Sequence, residues 1–319
     1  MSAQHGTKAV VAALLANSGI AVTKFVAAAF SGSASMLAEG VHSVADAGNQ
    51  ALLLYGGKAA KRAADEEHPF GYGRERYLWA FVVAIVLFSV GGLFSINEGI
   101  KKLRDPHELD VLWLPVVVLV VAIILESFSL RVAVRESNAV RGDASWVDFV
   151  RRAKSPELPV ILLEDIAALL GLVFALIGVS LTIFTGDPIW DAIGTLAIGV
   201  LLIVVAAILA VETKSLLIGE GASREDVAKI RDVVADNDKV DSLIYMKTLY
   251  LGPDELMVAA KVAFGRTDRM IDVADAINDL EKNIRSEVPV ARVIFIEPDV
   301  YRVREALPPT DAIVIKGND

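Results

Sequence analysis

Cysteine is absent from this chain of 319 residues. Without thiols the protein forms no disulfide bond and offers no thiolate ligand to a metal ion. Any metal that it binds must therefore be held by oxygen and nitrogen donors.

Histidine is also scarce, and the few residues of this type lie in the first third of the chain. A histidine-rich metal site in the C-terminal part is therefore excluded, and a metal there would need carboxylates such as Glu297 or Asp299. The histidines are His5, His42, His68 and His107.

Charged residues make up only 22% of the chain, whereas 54% of the residues are hydrophobic and the mean hydropathy is +0.52. This balance is too apolar for an ordinary soluble protein of the same length, so it indicates a membrane protein. A helix needs about 20 mostly apolar residues to cross the hydrocarbon core. Six segments meet this requirement, and the first is too long an apolar run for a signal peptide. The predicted spans are 7–31, 34–57, 77–100, 111–134, 158–184 and 188–213.

Positive charge is concentrated in the two long connections, 58–76 and 135–157. By the positive-inside rule these loops are cytoplasmic, and with six spans both termini are then cytoplasmic too. The basic residues of 101–110 run against this topology, because they would face outward. We expect a multi-pass protein of the cell inner or plasma membrane.

The composition changes after Lys214, where the chain becomes charged and of ordinary polarity. Ser223 is a candidate N-cap for an amphipathic helix, and two strand patterns, a second helix and a last strand follow. An αββαβ order indicates a small two-layer α+β domain. The sequence thus predicts a transmembrane domain over 1–215 and a soluble domain over 216–319.

The second span carries polar residues where lipid is expected. On a helix of about 3.6 residues per turn these side chains share one stripe, which must face protein or water, because ionisable groups are costly in lipid. His42 and Asp46 are one turn apart, so an imidazole nitrogen and a carboxylate oxygen can converge on one small cation. The stripe consists of Glu39, His42, Ser43, Asp46, Asn49 and Gln50.

The fifth span carries two adjacent acids, Glu164 and Asp165. They point about 100° apart around the helix, so both cannot face one partner equally. Glu164 shares a face with the small residues Ala168, Gly171, Ala175 and Gly178, which suits close helix packing. The residues alone leave open which acid is the ligand.

Other readings of the buried polar residues compete with a cation site. The pair of His42 and Asp46 is also compatible with a structural hydrogen bond between helices, and Glu126 with either a proton relay or a neutral, hydrogen-bonded acid. Lys24 is expected to extend its ammonium outward to the membrane surface. Asn97, Glu98 and Asp191 lie near the outer ends of spans, where solvation or helix capping is expected.

Several motifs together resemble the cation diffusion facilitator family: "SGSASMLAEGVHSVADAGNQ", "HPFGYGRERY", "LLEDIAALLG" and the α+β tail. The motif "LLED" and the long 135–157 loop are most similar to the branch with an animal mitochondrial zinc transporter. The resemblance implies six transmembrane helices, a ferredoxin-like cytoplasmic domain, a homodimer and exchange of divalent metal for protons by alternating access. It also implies that His42, Asp46 and Asp165 form the site.

The sequence departs from the family pattern at two places. Many zinc-transporting relatives have a histidine four residues before the fifth-span aspartate, where this chain has Ile161, so Glu164, Asn49 or water must complete the site. In the loop after the second span Asp65 and His68 match a metal-binding pattern, but Tyr72 replaces a histidine.

One imidazole with two or three carboxylates suits Zn²⁺ and also accepts Mn²⁺, Fe²⁺ or Co²⁺. Zinc is favoured by His42 and by the resemblance to the branch with a mitochondrial zinc transporter. We expect a proton-coupled zinc exporter whose partners are a divalent metal ion, protons and the lipid bilayer, with no nucleic acid and no resident cofactor. Efflux of another divalent metal, or a membrane-anchored metal sensor or scaffold, are the alternatives. An enzyme is not expected, since the chain has no H-E-x-x-H, phosphate-binding glycine loop or serine nucleophile motif.

Overall fold

The computed structural model describes residues 18–106 and 113–301, and the first part of the predicted first span lies outside these ranges. The described chain begins with helices and ends with a small sheet. The helices of the first part are α1 (Ser18–Ser31), α2 (Ala34–Ala59), α3 (Glu75–Arg104), α4 (Trp113–Arg141), α5 (Trp146–Arg152), α6 (Glu157–Thr185) and α7 (Ile189–Ile218).

Four of these helices, α3, α4, α6 and α7, are long and apolar enough to cross a membrane. The protein is therefore a multi-pass membrane protein. As described, α1 is a shorter apolar helix, while α2 has 26 residues and carries the polar stripe. The predicted 135–157 loop is partly helical, because α4 continues to Arg141 and the short helix α5 follows it.

Small residues allow α6 and α7 to pack closely. A Cβ atom added at Gly178 would lie 2.8 Å from the backbone oxygen of Trp190, so only glycine permits this approach. The chain reverses between the two helices at Gly186, whose φ of 71° is the left-handed conformation that glycine adopts without strain. The predicted small-residue face of α6 is buried along its length.

The third helix contains a π-helical segment, Leu87–Leu93. Gly91 and Gly92 lie in this segment and face α7, where added Cβ atoms would meet the side chains of Leu202 and Ile203. The wider turn and the missing side chains together let α3 and α7 approach closely over this stretch.

A second compact unit comprises Gly221–Tyr250 and Asp254–Asp319. Its α-β-β-α-β order is the predicted one, and Ser223 caps the first helix by accepting a hydrogen bond from the Asp226 amide. The sheet order is β1-β2-β3 with β2 and β3 parallel. The elements are α8 (Arg224–Ala235), β1 (Ser242–Gly252), β2 (Glu255–Ala263), α9 (Met270–Glu287) and β3 (Ala291–Asp299).

The two helices of this unit cover the sheet with apolar side chains. Ile230 of α8 and Ile284 of α9 are fully buried against Val258 of β2, which pairs with Ile294 of β3. Along the central strand β2, fully buried positions alternate with partly accessible ones, which is the pattern expected when helices pack on one face of a sheet. The described part of the unit is thus a small α+β domain.

Candidate functional site

The polar stripe of α2 faces the interior of the helix bundle, as predicted. Glu39, His42 and Asn49 are completely buried, and the side chain of Asp46 is only 13% exposed. Val44, on the other side of the helix, is 51% exposed. The helix therefore turns its ionisable residues toward protein and Val44 outward.

His42 and Asp46 form the centre of this stripe. The Nδ1 atom of His42 lies 3.5 Å from Oδ1 of Asp46, which is too far for a good hydrogen bond. Neither imidazole nitrogen, nor this carboxylate oxygen, has a hydrogen-bond partner within the described residues. An unpaired buried polar atom costs about 1–3 kcal/mol. Their geometry does not support a structural hydrogen bond between helices, and it leaves two kinds of metal donor open on one side of α2.

The adjacent acids of α6 reach two different neighbours. Glu164 Oε1 accepts a hydrogen bond of 2.6 Å from Asn49 Nδ2 on α2, while Asp165 Oδ2 accepts one of 3.0 Å from Ser129 Oγ on α4. The angle of about 100° between neighbouring side chains on a helix explains this division. Asn49 Oδ1 has no hydrogen-bond partner among the described residues.

Glu126 of α4 extends the acidic cluster from a third helix. It is 9% exposed and interacts electrostatically with Glu39, Asp46 and Asp165. Asp46 also interacts with Glu164. The carboxylates of α2, α4 and α6 thus lie close enough together to influence one another electrostatically.

Among the described residues, no three histidine or acidic side chains lie close enough together to hold a metal ion as they stand. His42 with Asp46, Glu164 with Asn49, and Asp165 with Ser129 are separate pairs. A cation held by all three carboxylates would therefore require the side chains of α2 and α6 to move closer together.

Lys24 was predicted to reach the membrane surface, and that prediction is wrong. Its side chain is completely buried, and the ammonium donates hydrogen bonds to Glu39 Oε2 at 3.0 Å and to Ser43 Oγ at 2.8 Å. The acid on the facing helix stabilises the charge inside the bundle, which the sequence of α1 alone does not reveal.

Asp191 was expected to be solvated or to cap a helix, and it caps a helix while being completely buried. Its carboxylate, on α7, accepts hydrogen bonds from the Ser33 hydroxyl and from the amides of Ala34 and Ser35. Asp191 therefore caps α2 and not α7, the helix to which it belongs. Asp191 thereby ties the beginning of the helix that bears His42 to α7.

The loop between α2 and α3 arranges its candidate ligands differently. Tyr72 donates a hydrogen bond of 2.6 Å to Asp65 Oδ2, and this bond holds the pKa of the Asp65 carboxyl below its usual range. His68 Nδ1 lies 3.5 Å from Asp65 Oδ1 and is about half exposed. Because the tyrosine already occupies one carboxylate oxygen, the loop offers a metal fewer free donors than a histidine at this position would.

A cavity of about 760 Å³ lies between α4, α5, α6 and α7. Its lining is mostly apolar and includes Val134, Trp146, Leu162 and Ile208, but Arg151 and Glu212 also contribute. None of the polar residues of the α2 stripe lines it, so this cavity is separate from the candidate cation site.

Residues 10–218 match the family model described as the cation efflux transmembrane domain. The chain is 34% identical over 263 residues to metal tolerance protein C4 of Arabidopsis thaliana, covering 82% of this chain and 58% of that protein. It is 32% identical over 259 residues to the mitochondrial proton-coupled zinc antiporter SLC30A9 of Homo sapiens, covering 81% of this chain and 46% of the relative.

A bacterial relative matches over more of its length. The cation-efflux pump FieF of Pectobacterium atrosepticum is 25% identical over 313 residues, which cover 94% of this chain and 96% of the relative. By contrast, the chain spans only about half the length of the plant and human relatives.

Proposed function

The chain belongs to the cation efflux family, and from this premise we propose that it carries a divalent metal cation, foremost Zn²⁺, across a membrane in exchange for protons. One observation carries the proposal: His42 and Asp46 are buried in the helix bundle with free donor atoms, beside carboxylates from two further helices. Buried ionisable residues in a membrane protein mark ion pathways. The relative named as a proton-coupled zinc antiporter supports zinc and protons as the exchanged ions.

The proposed architecture adds detail to the described fold. The transport domain, 1–215, crosses the membrane six times. Both α1, although it is short as described, and α2, although it carries the polar stripe, are spans. The remainder, 216–319, is a ferredoxin-like cytoplasmic domain, and two copies form a homodimer. Both termini are cytoplasmic, and the membrane is the cell inner or plasma membrane.

The proposed metal ligands are His42, Asp46 and Asp165, with Glu164 or Asn49 as the fourth. Asn49 of the stripe already contacts Glu164 of α6, so a movement that brings α6 toward the stripe would bring Glu164 closer to His42 and Asp46. The separate pairs of the described structure and a gathered, metal-bound arrangement are then two states of one alternating-access cycle.

Proton coupling follows from the donor chemistry. A histidine must be neutral and a carboxylate ionised to bind a metal, so metal binding releases protons and protonation weakens the binding of metal. Metal affinity should therefore fall as the pH falls. A proton gradient directed into the cytoplasm would then drive export of the metal.

Flux into sealed proteoliposomes tests the proposal. We expect saturable Zn²⁺ uptake that depends on an opposing pH gradient, and competition with Mn²⁺, Fe²⁺ and Co²⁺ would rank the cargo. Protein-free liposomes are the control. Stoichiometric Zn²⁺ binding without any flux would contradict transport and favour a membrane-anchored sensor.

A further inference from the structure

Lys24 places a full positive charge beside the proposed cation site. Its side chain is 0% exposed, and its ammonium contacts Glu39 and Ser43, which flank His42 on the stripe of α2. Besides Glu39, the charge interacts with His42, Asp46 and Glu126. A metal ion arriving at His42 and Asp46 therefore meets a cation that the protein already supplies.

Stability alone does not explain this buried pair. Replacing a buried ion pair by apolar residues of similar size is often neutral or stabilising, because both charges must be removed from water. An ammonium close to the ligands also opposes a divalent cation through direct electrostatic repulsion. A lysine at this position thus costs metal affinity, and it calls for a functional reason.

Glu39 suggests a functional reason for Lys24. It is a carboxylate close to the proposed ligands, and it is already paired with Lys24. Its Oε2 atom accepts the bond from Lys24, and its Oε1 atom has no hydrogen-bond partner among the described residues. Oε1 is pressed against α6, where a Cβ added at Gly171 would lie 2.6 Å away. Without Lys24, the carboxyl group of Glu39, one helical turn before His42, would be unpaired and available to the metal.

We propose that Lys24 is an internal competing cation that neutralises Glu39, withholds it from the transported metal and so limits metal affinity. The inference rests on the proposed function, since it concerns the same cation site. A transporter must bind its ion well enough to load it and weakly enough to release it. In this arrangement Lys24 acts on release through Glu39 and does not touch the metal, so it is a positioning residue.

Zn²⁺ titrations of the purified full chain, by calorimetry in detergent, test the proposal. Lys24→Met should lower the Kd for Zn²⁺ about tenfold or more, since it removes a nearby positive charge and frees Glu39. In proteoliposomes the same variant should lower both KM and kcat, because release becomes slow. The double variant Lys24→Met with Glu39→Gln should return the Kd to near the wild-type value, because the pair is neutral before and after the change.

Two matched variants separate charge from packing. Lys24→Arg keeps the charge and should keep the wild-type Kd. Lys102→Met removes another buried lysine, which donates to the Gly32 carbonyl, and it should leave the Kd for Zn²⁺ unchanged.

Several outcomes decide the matter. A folded Lys24→Met protein with a wild-type or higher Kd overturns the inference alone, as does a double variant that binds as tightly as Lys24→Met. If Lys24→Met does not fold, the double variant is compared with Glu39→Gln, which keeps the lysine. The double variant should then bind Zn²⁺ at least tenfold more tightly than Glu39→Gln, and equal affinities of these two proteins overturn the inference. A wild-type protein that binds no Zn²⁺ overturns the proposed function and this inference together.

Discussion

At the scale of single residues, the candidate site depends on polar atoms whose burial leaves them without partners. His42 and Asp46 keep donor atoms free at a place where water is scarce, and the cost of this arrangement is of the order of a few kcal/mol. A protein tolerates such a cost when a ligand repays it.

His42→Ala and Asp46→Ala should each abolish saturable metal flux, because a site of three or four donors cannot satisfy a divalent ion after losing one of the two on α2. The measurement is Zn²⁺ uptake by proteoliposomes at matched protein content. Val44→Ala, on the exposed side of the same helix, should transport like the wild type. Normal flux from either site variant would rule out its role as a ligand.

Asp165→Asn and Glu164→Gln should differ in effect. If Asp165 is the direct ligand, Asp165→Asn eliminates Zn²⁺ binding in calorimetry. If Glu164 carries a proton or completes the shell, Glu164→Gln retains weaker binding and gives a flatter dependence of flux on pH. The glutamine can still accept the bond from Asn49, so packing against α2 is preserved.

Normal Zn²⁺ binding by Asp165→Asn, together with loss of binding in Glu164→Gln, would show that Glu164 is the direct ligand and that Asp165 is not. The contact between Glu164 and Asn49 makes this a fair test, because Glu164 is the acid that meets the stripe of α2 in the described structure. The resemblance to the family assigns the ligand to Asp165 instead.

At the scale of helices, the orientation of α2 depends on its first turn. The amides of a helix N-terminus lack partners within the helix, and here Asp191 of α7 accepts two of them as well as the Ser33 hydroxyl. This connection fixes the end of α2 that lies two turns before His42. A defect there should affect the whole polar stripe.

Asp191→Ala should lower the free energy of unfolding by about 2–4 kcal/mol, because it leaves several buried donors unpaired. Asp191→Asn retains one acceptor oxygen and should cost less than half as much. Thermal unfolding in detergent, followed by tryptophan fluorescence, measures both. Equal midpoints for the wild type and Asp191→Ala would show that the cap contributes nothing to stability.

At the scale of the whole molecule, the chain separates into a helical part and a small α+β unit. The α+β unit has no histidine or cysteine. Its proposed contribution is to dimer formation. The polar residues of the proposed transport site all belong to α2, α4 and α6.

Truncation after Glu220, at the boundary between the two units, should weaken dimer formation and lower Zn²⁺ flux without changing the order of preference among metals. Analytical ultracentrifugation in detergent and competition flux assays measure the two effects. A truncated protein with an altered metal preference would indicate that part of the selectivity lies in the α+β unit.

Local periodicity and composition were enough to predict several features of this protein. Apolar runs of sufficient length predicted the long helices, the 3.6-residue repeat predicted that His42 and Asp46 share a buried face, and Ser223 predicted the start of α8. These predictions succeed because hydrogen bonding within a helix and the cost of polar groups in lipid act on neighbouring residues.

The partner of each buried charge, by contrast, became apparent only from the packing of the helices. Helical periodicity gives the face of a residue but not its neighbour. The ion pair of Lys24 with Glu39, and the choice of α2 as the helix that Asp191 caps, therefore had no signal in the sequence. The division of Glu164 toward α2 and Asp165 toward α4 was likewise open. A buried charge is stabilised by partners distant in the chain, and their positions are set by the packing of the whole bundle.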